Sequence, residues 1–136
     1  MKRILITFIF MAFASTVLAS EMMEQKVFFE APKDGAVVKN PVKVCIGAVG
    51  VEVEPASQGI NPHKGHHHIL VDVDLPGDLS KPIPKDDQHI HMGDGSKCKD
   101  LTLAPGKHRL SLLFANGAHV PMVGVKSETV SITVGE

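Results

Sequence analysis

From Lys26 onward, apolar and polar positions alternate in short runs separated by Gly, Pro and Asn. Strand side chains point alternately to opposite faces, so this alternation predicts strands. Pro41 to Val49 sets Val42, Val44, Ile46 and Ala48 on one face. The strongest strand is predicted over Gly65 to Leu75. There His67, Ile69, Val71, Val73 and Leu75 share the core side, and His66, His68, Leu70, Asp72 and Asp74 share the other. Lys26–Ala31, Gln88–Met92, Leu101–Leu103, Lys107–Ala115 and Ser127–Val134 complete a set of about seven strands. Turn residues punctuate them: Pro32-Lys33-Asp34-Gly35, the loop with Pro76, Pro82 and Pro84, Ala104-Pro105-Gly106, and the hairpin-type pair Asn116-Gly117. Nothing repeats, and no long window shows a 3.6-residue apolar period. The pattern predicts an all-β chain folded as an immunoglobulin-like antiparallel β-sandwich.

The first nineteen residues have a different character. Lys2 and Arg3 precede an apolar run, and Val17 and Ala19 occupy the small-residue positions of a cleavage site. This reads as a signal peptide over residues 1–19, cut between Ala19 and Ser20, with one sandwich domain over 20–136. The run from Ile4 to Ala19 is shorter than the ~20 residues a spanning helix needs, and no stop-transfer cluster follows it. The expected location is the periplasm or the exterior, with no membrane span after cleavage.

Export changes the reading of Cys45 and Cys98, the only cysteines among 136 residues. In an oxidising compartment they are expected to form a disulfide. Reduced core thiols and metal-bound thiolates are the competing readings, although no C-x-x-C spacing marks a thiolate site. Charge excludes another class: 14 Lys and Arg stand against 15 Asp and Glu, so there is no basic field for a nucleic-acid backbone.

Eight His with no Trp or Tyr put the chemistry on imidazole. His66 and His68 form an H-x-H pair on one strand face, roughly 6.5–7 Å apart at Cα. His89 and His91 form a second, and His119-Val120-Pro121-Met122 adds an imidazole and a thioether from a loop. Neutral imidazole suits copper and zinc, and a thioether beside it favours copper. The candidate ligands are therefore His66, His68, His89, His91, His119 and Met122, with a copper ion expected before a zinc ion. The same histidines could instead hydrogen-bond loops and bind nothing. His67 is read as a buried, hydrogen-bonded residue or an orienter of the ligands, His108 as a structural corner residue and His63 as solvated. Asp72 and Asp74 are read as a solvated strand face, and Asp86-Asp87 as an exposed turn.

The ordered motifs Gly65-His66-His67-His68-Ile69-Leu70-Val71-Asp72, His91-Met92-Gly93-Asp94-Gly95, Leu103-Ala104-Pro105-Gly106-Lys107-His108-Arg109-Leu110, His119-Val120-Pro121 and Ser127–Val134 run from about Val27 to Val134. On these the chain resembles the small exported bacterial domains known as domain of unknown function 4399. The resemblance implies a β-sandwich of the cell envelope and no established activity. Members tend to carry a second His where this chain has Met122, and Thr-Glu where it has Lys97-Cys98, so the cysteine pair belongs to this branch. No G-x-S-x-G elbow, H-E-x-x-H helix motif or phosphate-cradling Gly loop occurs, and no general base is evident beside the histidines. Two functions follow: an exported protein that stores, delivers or protects against a transition metal, or an envelope module with structural histidines whose loops meet a protein or glycan.

Overall fold

The computed structural model describes residues 23–136, so the predicted leader and its cleavage point lie outside the described residues. Nine strands follow in order: β1 Lys26–Ala31, β2 Val37–Val38, β3 Val42–Val49, β4 Glu52–Val53, β5 Lys64–Val71, β6 His89–His91, β7 Cys98–Leu101, β8 Gly106–Ala115 and β9 Thr129–Val134. A single 3₁₀ turn, Ala56–Gln58, is the only helical element among the described residues. The two-residue strands β2 and β4 are too short to show an alternation, which is why the pattern predicted about seven. Both pair in parallel, β2 with β9 and β4 with β5, while the remaining pairs are antiparallel.

The strands form two sheets, β1-β3-β7 and β2-β9-β8-β5-β4, with β6 beside β4 on the same flank of β5. Their facing sides make the sandwich expected from the sequence. Val27, Phe29, Val44 and Ile46 of one sheet meet Ile69, Leu110, Leu112, Phe114, Val130 and Ile132 of the other, all buried. Cys45 and Cys98 are cross-strand partners of β3 and β7 and form a disulfide. Among the described residues no helix is long and apolar enough to cross a membrane.

Two features of β5 position the site. The strand is buried on both faces, because the chain between Asp72 and Gln88 folds back over the outer side of its sheet. Ile83 from that segment is buried against Leu70, Leu113 and Ala115. The strand also stops sooner than its pattern predicted. Asp72 takes a left-handed conformation (φ 57°), which reverses the alternation beyond Val71. Val73 then packs with the outer cluster, and Leu75 is exposed instead of reaching the core.

Asp72 is exposed, as read from the sequence, but lies past the end of the strand and is tied into a corner. Its carboxylate accepts from the Arg109 backbone N–H at 2.8 Å and from His108 Nδ1 at 2.7 Å. His108 Nε2 donates to the Ala104 carbonyl at 2.7 Å. Both ring nitrogens thus face acceptors, a demand only the doubly protonated imidazolium meets. The Asp72 carboxylate accordingly raises the His108 pKa, helped by the Ala104 carbonyl. This is the structural corner that the sequence assigned to His108. Asp74 remains exposed and accepts from the Arg109 guanidinium.

Candidate metal centre

β5 presents His66 and His68 on its outer face, and β6 runs antiparallel beside it with His91 directly opposite His68. The inter-strand spacing of about 4.8 Å, with side chains projecting to the same side, brings the three rings together. A fourth comes from the loop after β8. There the Asn116 side chain accepts from the backbone N–H groups of Ala118 and Val120, and the Asn116 carbonyl accepts from the His119 N–H. The turn read from Asn116-Gly117 is thus a pinned loop, with His119 left-handed at φ 64°.

The Nε2 atoms converge. His66 lies 3.0 Å from His68, His91 lies 3.2 Å from His66, and His119 lies 3.1 Å from His91, Nε2 to Nε2 in each case. Ligand atoms of His66, His68 and His91 all lie within 4.8 Å of one another. An imidazole nitrogen carries either one in-plane hydrogen or one in-plane lone pair. His66 Nε2 and His91 Nε2 each meet two neighbours, so hydrogen bonding alone satisfies such a chain poorly. A cation with metal–nitrogen distances near 2.0–2.1 Å holds nitrogens about 3.3 Å apart in tetrahedral geometry. The donor set fits a transition-metal ion.

The surroundings disfavour protonation of the three strand-borne rings. His66 and His68 are 0% and 1% exposed. Burial, then the neighbouring histidines, lowers His66 to about 4 and His68 to about 3. Burial also lowers His91, with the His119 ring next in effect. Ligand lone pairs are therefore available at neutral pH. The Nδ1 atoms of His66 and His68 are buried without a hydrogen-bond partner. Strand packing, not the carboxylate or carbonyl that commonly anchors a metal-bound imidazole, orients these two rings.

The remaining candidates lie elsewhere. His89 has the same parity as His91, but its Nδ1 donates to Asp86 Oδ1 at 2.7 Å, and this pair ties down the turn before β6. Asp86 is thus more than an exposed turn residue: it caps that turn by accepting from the backbone of Gln88 and His89. Met122 packs against the sandwich core, and its backbone N–H donates to the Phe114 carbonyl. His67 points into the core as parity required, at 0% exposure with its ring edge-on to Phe114. The hydrogen bond expected of it is absent, since neither ring nitrogen has a partner. His63 is exposed and accepts from the Gln25 amide.

One residue of the site went unrecognised in the sequence. A Cβ on Gly93 would sit 2.1 Å from His91 Cε1 and 2.2 Å from Nε2. The Cε1–Nε2 edge of the His91 ring therefore abuts Gly93, and any side chain at 93 would occupy its place. The Gly within His91-Met92-Gly93 was the available signal. A cleft of about 430 Å³ opens beside the cluster, lined by His68, His91 and His119 and by Pro82, Ile83, Pro84 and Lys85.

Comparison with solved structures finds similarity to the fibronectin(III)-like modules of Clostridium thermocellum CbhA. The TM-score is 0.43 at 15% identity, over 80% of this chain and 95% of the module. The comparison with curated proteins gave no match. A family model described as Domain of unknown function (DUF4399) matches residues 44–135, a stretch holding β5, β6 and all four clustered histidines. The chain belongs to that family.

Proposed function

We propose that this is an exported protein that binds one late transition-metal ion, Cu(II) ahead of Zn(II), for storage, delivery or protection in the periplasm. The ligands are His66, His68 and His91, with His119 beside them. The convergence of four Nε2 atoms at 3.0–3.2 Å contacts carries the reading. Met122 packs against the sandwich core, so the proposed set is nitrogen alone and the thioether reasoning for Cu(I) is not carried over. Among divalent ions, imidazole sites bind Cu(II) most tightly. The disulfide supports a location outside the reducing cytosol, and removal of residues 1–19 would leave the 20–136 domain.

The test is calorimetric titration of the mature, tag-free protein with Cu(II), Zn(II) and Cu(I), beside a His66→Ala/His91→Ala double variant. One equivalent bound tightly, and lost in the double variant, is the expected result. Weak binding that survives the two substitutions overturns the proposal and leaves an envelope interaction module with structural histidines.

A further inference from the structure

The four imidazoles of the cluster are not equivalent. His66, His68 and His91 ride on paired strands, their backbones fixed by the ladders of β5 with β8 and β6. His119 is held by a loop in a left-handed conformation, and its closest tie to the group is the 3.1 Å contact with His91. Its ring centroid is 5.9 Å from that of His68, the widest spacing in the cluster. The 430 Å³ cleft opens on this same side, with His68, His91 and His119 in its wall.

The cleft also has a sign. Its polar lining is imidazole and the Lys85 ammonium, with no carboxylate. Lys85 makes no ion pair among the described residues. A dication held by neutral imidazoles keeps its whole charge, and Lys85 adds to the field at the mouth. Pro82 and Pro84 flank the buried Ile83, whose N–H donates to the His119 carbonyl at 2.9 Å. That bond ties the stiff wall of the cleft to the loop carrying the fourth ligand.

We infer that His119 is an exchangeable ligand, and that a metal on the three strand histidines accepts a small monodentate anion from this cleft in its place. The inference rests on the metal-binding reading above. The exchange is a substitution: one anion lone pair replaces the His119 Nε2 lone pair on the metal. No electron or proton need be transferred. Such an exchange gives an incoming donor a place on the metal while the three strand histidines keep hold of it.

The experiment is titration of the Cu(II)-loaded protein with azide, following the azide-to-copper charge-transfer band and the electron paramagnetic resonance spectrum. The native protein is expected to develop a saturable band with one azide per copper. The His119→Ala variant is expected to keep one equivalent of Cu(II) and to bind azide several-fold more tightly. Lys85→Ala is expected to keep the copper and bind azide several-fold more weakly. A spectrum unmoved by azide, with copper retained, overturns the exchange and leaves the metal-binding reading intact. So does removal of the copper by azide, or loss of stoichiometric copper in His119→Ala, which would make His119 obligatory. Failure of the native protein to bind stoichiometric copper overturns both readings.

Discussion

At the scale of single residues, the site depends on a side chain that is missing. The His91 imidazole occupies the space a Cβ at position 93 would take, and Gly93 does not have a left-handed φ. Gly93→Ala therefore strains no backbone and displaces one ring. We expect it to lower metal affinity by about 10- to 100-fold, the range for losing a ligand's orientation. Its melting temperature should stay close to the native value. A calorimetric titration that matches the native protein would show that His91 is not a ligand. His108 shows the other use of imidazole in this chain. Its folded pKa is raised by Asp72 and the Ala104 carbonyl, so the corner contributes its full stability below the unfolded value near 6.5. That contribution disappears as pH rises through the folded value. The difference in melting temperature between native and His108→Ala proteins should accordingly be largest at pH 6 and smaller at pH 9. A constant difference would mean that the ring acts by packing alone.

At the scale of elements, strand parity was the most informative property of the sequence. It placed His66 and His68 together and His67 on the opposite face of β5, because a half-turn per residue leaves no other choice. It failed where the backbone leaves the strand: the left-handed Asp72 inverted the positions of Val73 and Leu75. Parity also could not separate His89 from His91, which share a face of β6: the register sets His91 opposite His68 and His89 opposite Leu70, and Asp86 captures the latter histidine. Met122 and His119 lie in a loop, where no period dictates direction, and one turned to the core and the other to the cluster. The folding back of 72–88 over β5 had no signal beyond prolines and a lone Ile83. The disulfide belongs to the sheet without the site. It links β3 to β7 across a sequence separation of 53, which the chain-entropy account values at about 4 kcal/mol. Cys45→Ala/Cys98→Ala is expected to lower the melting temperature by roughly 15 °C. Metal stoichiometry at 20 °C should be unaltered, since β5 and β6 lie in the other sheet. Loss of metal binding in that variant would mean that the two sheets are coupled through the core.

At the scale of the whole molecule, three consecutive histidines with almost no exposure set the response to acid. Burial is the leading cause that lowers His66 and His67 to about 4 and His68 to about 3. In the unfolded chain they take up protons near pH 6.5, so unfolding binds protons and acid favours it. Their contribution to stability is thus present above pH 6.5 and falls as pH drops towards 4. His108 acts in the opposite direction above 6.5, so these four histidines together favour the metal-free fold most around that pH. His67 isolates the effect, because it faces the core away from the cluster and neither of its ring nitrogens has a partner. Replacing it with a similarly sized hydrocarbon removes the desolvation of two unpartnered polar atoms, worth about 1–3 kcal/mol. It also removes one proton from the acid transition. His67→Leu should therefore raise the melting temperature at pH 7 and make the decline between pH 6.5 and 4 shallower. His67→Ala, which leaves a cavity beside Phe114, should lower the melting temperature at both ends of that range. Thermal melts of the two variants across the range decide the matter. A destabilised His67→Leu with an unchanged acid slope would mean that the imidazole makes a polar interaction in solution that outweighs its burial.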